Sequence, residues 1–151
     1  MIHGVHIKQL KTFADDRGYF REIFRADEPM YGTVAQTSIT KSHPGVIKAF
    51  HWHKGQDDFW YCADGMIRAV LYDRREDSPT KGETNQFAMG EDNPIGIIIP
   101  RGVAHGYQVL GTKAAMVFYH TTAAYDPKNP DEQRIDFDDP SIGFDWSIKN
   151  R

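Results

Sequence analysis

The sequence predicts an all-β fold, an antiparallel sandwich or barrel, and three observations carry the prediction. Short runs of aromatic and β-branched residues recur along the chain, and aromatic residues make up 13% of it. Turn chemistry separates those runs at close spacing. No window of about 11 residues or more holds a 3.6-residue apolar period, so helices find no support. Many short strands with few connecting residues argue for layered antiparallel sheets.

Taken in order, Ile7–Leu10 is the first expected strand, and Asp15-Asp16-Arg17-Gly18 turns the chain into Tyr19–Phe24. Thr33–Thr40 and Val46–Trp52 flank His43-Pro44-Gly45, and Phe59–Cys62 and Met66–Asp73 flank Ala63-Asp64-Gly65. Ser78-Pro79-Thr80 and Asn93-Pro94 precede Ile95–Ile99, and Arg101-Gly102 precedes Tyr107–Leu110 and Ala115–Tyr119. From Asp126 the chain turns polar, with Pro127, Pro130 and Pro140. Residues 126–151 are therefore expected to wrap irregularly around a single domain spanning 1–151, with no second domain.

Composition excludes several classes. The 151 residues are 40% hydrophobic and 26% charged, globular values that rule out disorder. With 18 basic and 21 acidic residues the net charge is −3, which leaves no basic excess for a nucleic-acid backbone. The longest aliphatic run is Ile97-Ile98-Ile99, against the ~20 residues of a membrane span. The N-terminus shows no signal-peptide pattern. Cys62 is the only cysteine, which excludes a disulfide framework and a four-thiolate zinc site. A reduced, cytoplasmic protein is the expectation.

The informative stretch is Gly45-Val46-Ile47-Lys48-Ala49-Phe50-His51-Trp52-His53. On a strand His51 and His53 share a face, and strict alternation adds Ile47 and Ala49 to it. Asp58 follows, Gly65 closes the segment, and a third histidine arrives in Pro100-Arg101-Gly102-Val103-Ala104-His105. The third imidazole, the carboxylate and the framing glycines favour a binding or active site over a structural H-x-H pair. His3, His6, His43 and His120 lack such framing and are expected at the surface.

These two segments resemble the cupin signature, G-x5-H-x-H-x4-E-x6-G followed by P-x-G-x-x-H, with Asp58 in place of glutamate. The resemblance implies a double-stranded β-helix, or jelly roll. A narrower resemblance runs from Asp15 to Trp146. Asp15–Glu22 looks like the D-x-R-G-x-F-x-E opening of the dTDP-4-dehydrorhamnose 3,5-epimerase family. Ile99–Tyr107, the Asp73–Gly82 loop, Tyr119–Tyr125 and Asp139–Trp146 are similar to later motifs of that family.

The resemblance implies an enzyme that takes a proton from a carbon next to the C4 ketone of a nucleotide-linked 4-keto-6-deoxyhexose and returns it on the other face. By alignment His51 is the catalytic base and Tyr119 the acid. Arg17, Glu22, Gln36, Lys48, His105 and Tyr125 fall at substrate-binding positions. A homodimer is implied, in which the N-terminal segment carries Arg17 and Glu22 to the neighbour's nucleotide. No cofactor is implied.

Three departures qualify that reading. Lys48 replaces an arginine and loses its bidentate fork. Asp58 stands where the family has a lysine near the ketone oxygen. The family's C-terminal L-S-x-K-D segment has no counterpart after Trp146, so His51 is expected to take an orienting partner from Asp57, Asp58 or His53. Two alternatives stay open beside a metal-free epimerase. One is a metal-dependent cupin holding a divalent first-row transition metal on His51, His53, Asp58 and His105. The other is a non-catalytic carbohydrate-binding cupin.

Overall fold

A computed structural model describes residues 1–25, 27–28 and 33–148. Residues 149–151, the end of the expected wrap, lie outside that description. Twelve strands and no helix occur among the described residues. They are β1 His6–Gln9, β2 Thr12–Asp15, β3 Gly18–Arg21, β4 Gln36–Ser42, β5 Ile47–His53 and β6 Asp58–Asp64. The chain continues through β7 Met66–Asp73, β8 Thr84–Gly90, β9 Ile95–Ile99, β10 Val103–Leu110, β11 Ala115–Thr121 and β12 Glu132–Arg134.

Two five-stranded antiparallel sheets face each other, in the orders β1-β9-β6-β11-β4 and β12-β5-β10-β7-β8. Consecutive strands often sit in opposite sheets, the jelly-roll arrangement that the cupin resemblance implies. Inward residues of both sheets make the main core: Trp60, Cys62, Ile67, Leu71, Met89, Ile97, Val103 and Val117 are all buried there. Period-two alternation puts Phe59 and Tyr61 on the outer face of the first sheet, where they pack with Leu10 and Ile23. Gly65, at φ +71°, makes the β6–β7 turn, and a Cβ there would meet the Ala114 carbonyl oxygen at 2.5 Å.

Three strands depart from the sequence expectation. β2 pairs only with β3, in a hairpin whose Phe13, Tyr19 and Phe20 are exposed. β8 is an edge strand in which Phe87 and Met89 are the residues that reach the core. The polar tail is also more ordered than an irregular wrap. β12 pairs with β5, and Ile135 exchanges two backbone hydrogen bonds with Phe50. Beyond it Ile142, Phe144 and Trp146 cover the outer face of the second sheet, against Phe50, Val70 and Ala104.

Candidate active site

The histidine strand does not alternate as a plain strand. His105 pairs with His51 and Tyr107 with Lys48, two steps on β10 against three on β5, so β5 carries a bulge. The extra residue reverses the side-chain phase. Ile47 and Ala49 therefore pack outside with Phe50 and Trp52, not inside with the histidines as alternation predicts. Beyond the bulge His51 and His53 do point between the sheets, towards His105 from β10 and Asp58 from β6. Their donor atoms all lie within 4.8 Å of one another.

Above this cluster opens a cavity of about 260 Å³, lined among others by His51, Asp58, Gln36, Ser38, Tyr119 and Tyr125. His51 comes from the second sheet and Tyr119 from the first, so the candidate base and acid enter the cavity from facing walls. Trp60 holds both, with its indole 5.9 Å from the His51 ring and 5.8 Å from the Tyr119 ring. His120 follows Tyr119 onto the outer face, as alternation predicts. It is half-buried there, stacked on Phe59 and bonded to the Thr37 hydroxyl through Nδ1, so the expectation of a surface histidine is corrected.

Burial dominates the titration of the site. It pushes His51 well below the ordinary imidazole range, and the neighbouring His105 adds to this while Asp58 opposes it. Burial also lowers His53, again against the pull of Asp58. For Asp58 burial favours the neutral acid, but its contacts with His105, His53 and the Gln56 amide outweigh that and bring it to about 2. Burial raises the Tyr119 phenol far enough to keep it protonated at neutral pH. The site thus presents an unprotonated imidazole and a protonated phenol, the states that abstraction and return of a proton require.

The remaining expected residues separate into two groups. Gln36 accepts a 2.8 Å bond from the Tyr125 backbone N–H, which fixes Tyr125 at the cavity rim. His105 is buried beneath the floor, with Nδ1 donating to the Val103 carbonyl at 2.9 Å. Arg17, Glu22 and Lys48 do not line this cavity. Arg17 pairs with Asp15 on the exposed hairpin and Glu22 with Arg25, while Lys48 donates to the Thr40 hydroxyl. Of the partners expected to orient His51, Asp57 is tied instead to Arg101, through its backbone N–H and its guanidinium. The group in closest ring contact with His51 is His105, at 4.2 Å between centroids.

Sequence reasoning missed Ser38, Gln56, Thr121, Asn129, Asp131 and Glu132 at the cavity. Ser38 shares a face with Gln36 on β4, so period two could have found it. Asp131 and Glu132 come from the polar tail, where no pattern marks them. Asp131 accepts from the backbone N–H groups of Lys54 and Gly55 and so closes the β5–β6 turn over the site.

The molecule is thus a jelly roll in which an imidazole and a phenol from facing sheets line one cavity. The chain belongs to the dTDP-4-dehydrorhamnose 3,5-epimerase family, whose model matches residues 1–151. It is 53% identical over 151 residues to the spore coat polysaccharide biosynthesis protein SpsL of Bacillus subtilis, covering 100% of both chains. It is 40% identical to the "Probable low-salt glycan biosynthesis epimerase Agl13" of Haloferax volcanii, covering 98% of this chain and 96% of that one. The crystal structure of a dTDP-6-deoxy-D-glucose-3,5-epimerase from Legionella pneumophila, in complex with dTDP-4-keto-L-rhamnose, superposes with a TM-score of 0.87. It is 29% identical and covers 99% of this chain and 82% of that chain.

Proposed function

We propose that the chain epimerises a nucleotide-linked 4-keto-6-deoxyhexose for polysaccharide or glycan synthesis, with His51 as base and Tyr119 as acid. The observation that carries this reading is their placement on facing sheets across one cavity. Inversion at a carbon needs the proton removed from one face and returned to the other. His51 takes the proton next to the C4 ketone, the electron pair moves onto the ketone oxygen, and the enolate forms. The Tyr119 hydroxyl then protonates the opposite face, and solvent restores both side chains. Gln36, His105 and Tyr125 position the sugar, directly or by holding the walls.

A cavity of about 260 Å³ accommodates a sugar ring but not a whole sugar nucleotide, since ligand pockets of drug size run to roughly 300–1,000 Å³. The nucleotide therefore lies outside it, and a homodimer in which Arg17 and Glu22 reach the neighbour's nucleotide supports its binding. Lys48 contributes its charge from the Thr40 side. Cys62, buried and with its thiol raised to about 11 by burial, suits a reducing cytoplasm.

Incubation with nucleotide-linked 4-keto-6-deoxyhexoses in D2O tests the reading. Deuterium at C3 or C5 is the expected result, and its position names the reaction. A folded protein that exchanges no proton with any of the panel would overturn the enzyme and leave the carbohydrate-binding reading.

A further inference from the structure

An inversion that takes its second proton from Tyr119 leaves a phenolate, which must be recharged before it can act again. A phenolate facing the product is also the base for the reverse step, so recharge before release commits the inversion. Water has no way in from the front at that moment, because a cavity of about 260 Å³ holds a sugar ring and little else. We propose that Thr40 and Lys48 form a proton relay that recharges Tyr119 from behind, through the gap between the sheets. The relay rests on the function proposed above. Neither residue lines the cavity, so both act through Tyr119 as positioning residues.

The bulge in β5 aims Lys48. Lys48 pairs with Tyr107, which is buried in the core between the sheets, so both side chains leave their strands on that face. Ile47 and Ala49 on either side of it point outwards, and His51 returns inside beyond the bulge. Plain alternation would put Lys48 and His51 on opposite faces. From β5 the ammonium crosses to the facing sheet and donates to Thr40 Oγ1 on β4 at 2.9 Å. Lys48 is exposed and Thr40 half-buried, so the two groups lead from solvent into the interior.

Register carries the path on to the phenol. Thr40 lies opposite Val117 and Ser38 opposite Tyr119, which makes Thr40 and Tyr119 diagonal neighbours on the inner face of the first sheet. Aromatic side chains reach across such a diagonal. A hydroxyl has one proton and two lone pairs, so accepting from the ammonium leaves the Thr40 proton free to donate. The phenol oxygen receives it. Burial is the largest influence on Tyr119 and raises it, while hydrogen bonding from Thr40 favours the ionised form and pulls it down. In the relay the Thr40 hydroxyl proton passes to the phenolate oxygen as a proton of Lys48 passes to Thr40 Oγ1. The neutral amine then takes a proton from water, and the hydroxide left behind is neutralised by the proton that His51 took from the sugar. A lysine suits this role where the related family has an arginine, since a guanidinium keeps its protons and an ammonium can release one.

Rapid mixing with dTDP-4-keto-6-deoxyglucose tests the relay, first with enzyme in excess and then with sugar in excess. With enzyme in excess, Thr40→Val should form its first product at close to the wild-type rate, because Tyr119 starts protonated. With sugar in excess its steady rate should fall by about 10²-fold, the low end of what a positioned proton-transfer group contributes. Thr40→Ser keeps the hydroxyl and should restore the steady rate. Lys48→Arg keeps the charge without a releasable proton, so it should show the same burst followed by slow turnover. If circular dichroism shows Thr40→Val unfolded, Lys48→Arg, at its exposed position, decides alone. A first turnover slowed as much as the steady rate overturns the relay, since a purely structural role does that. Full steady turnover in Lys48→Arg overturns it too, because Lys48 then acts by charge alone. Wild-type protein that epimerises neither this sugar nor any of the panel overturns the proposed function, and the relay with it.

Discussion

Gly106 sits at the one place where the two histidine strands press on each other. A Cβ built on it would lie 2.3 Å from Ala49 Cβ, 2.6 Å from Ala49 Cα and 2.7 Å from the Lys48 carbonyl oxygen. Non-bonded carbons rest about 3.5–4.0 Å apart, so Gly106→Ala must part β5 and β10 by more than about 1 Å. No rotamer relieves this, because the opposing atoms are backbone or Cβ. Overpacking of this kind costs about 1–3 kcal/mol. In a domain of this size each kcal/mol lowers Tm by roughly 2–4 °C, which gives an expected loss of about 2–12 °C. The activity loss should be larger in proportion. His51 lies two residues past Ala49 and pairs with His105, the neighbour of Gly106, so the proposed base moves with the bulge. A misplacement near 1 Å costs on the order of 10²-fold in rate. Thermal unfolding and deuterium exchange into a 4-keto sugar nucleotide read the two effects separately. Adding Ala49→Gly removes only the Cβ–Cβ contact, so the double variant should regain part of the loss. A Gly106→Ala protein with wild-type Tm and wild-type exchange would refute the claim that this contact sets the bulge.

Further outcomes follow from the same structure. Tyr119→Phe should fold normally and exchange substrate protons through His51, but lose net epimerisation by about 10²–10⁴-fold; unchanged product yield removes the phenol from the mechanism. Asp73 is fully buried, and its carboxylate is held below the usual range: burial opposes ionisation, but Arg75, Ser78 and Thr80 outweigh it. A depressed pKa contributes stability that is present above the unfolded value of ~3.9 and is lost as pH falls from there through the folded value. Asp73→Asn should therefore cost about 2–4 kcal/mol at pH 7, with the difference shrinking below about pH 4; urea unfolding at both pH values checks it. Phe13, Tyr19 and Phe20 are 46%, 56% and 63% exposed on the β2–β3 hairpin, where a homodimer would cover them. Light scattering should show a dimer that Phe20→Glu weakens, and a monomeric wild type at micromolar concentration would defeat this.

The fold was legible because most strands bury one face or both. β6, β7, β9 and β10 read as apolar runs, and the turns between them carry their own chemistry. β8 escaped because it is an edge strand of Thr, Asn, Gln and Ala around Phe87 and Met89. β12 escaped for a different reason: Glu132-Gln133-Arg134 is a strand only because its backbone pairs with β5, and no side-chain pattern records that. The site divides in the same way. The H-x-H spacing and the third histidine carried the cluster, since residue type and order suffice for that. The bulge was invisible, because an inserted residue changes the phase without changing composition. Its trace is Gly106, where the opposing strand leaves no room for a side chain.

The two-sheet architecture itself suits the proposed epimerisation. A two-sheet sandwich gives any enclosed ring two chemically distinct walls, so inversion needs only a base on one sheet and an acid on the other. Position is settled by pairing: His51 is set by the bulge against β10, and Tyr119 by its register with Ser38 on β4 and Trp60 on β6. Protonation state is settled by burial, which lowers the imidazole and raises the phenol. One interior therefore drives the two groups in opposite directions, because one is charged when protonated and the other when deprotonated. Burial and Asp58 both work against a negative oxygen, so the enolate is the costliest species of the proposed reaction in this interior.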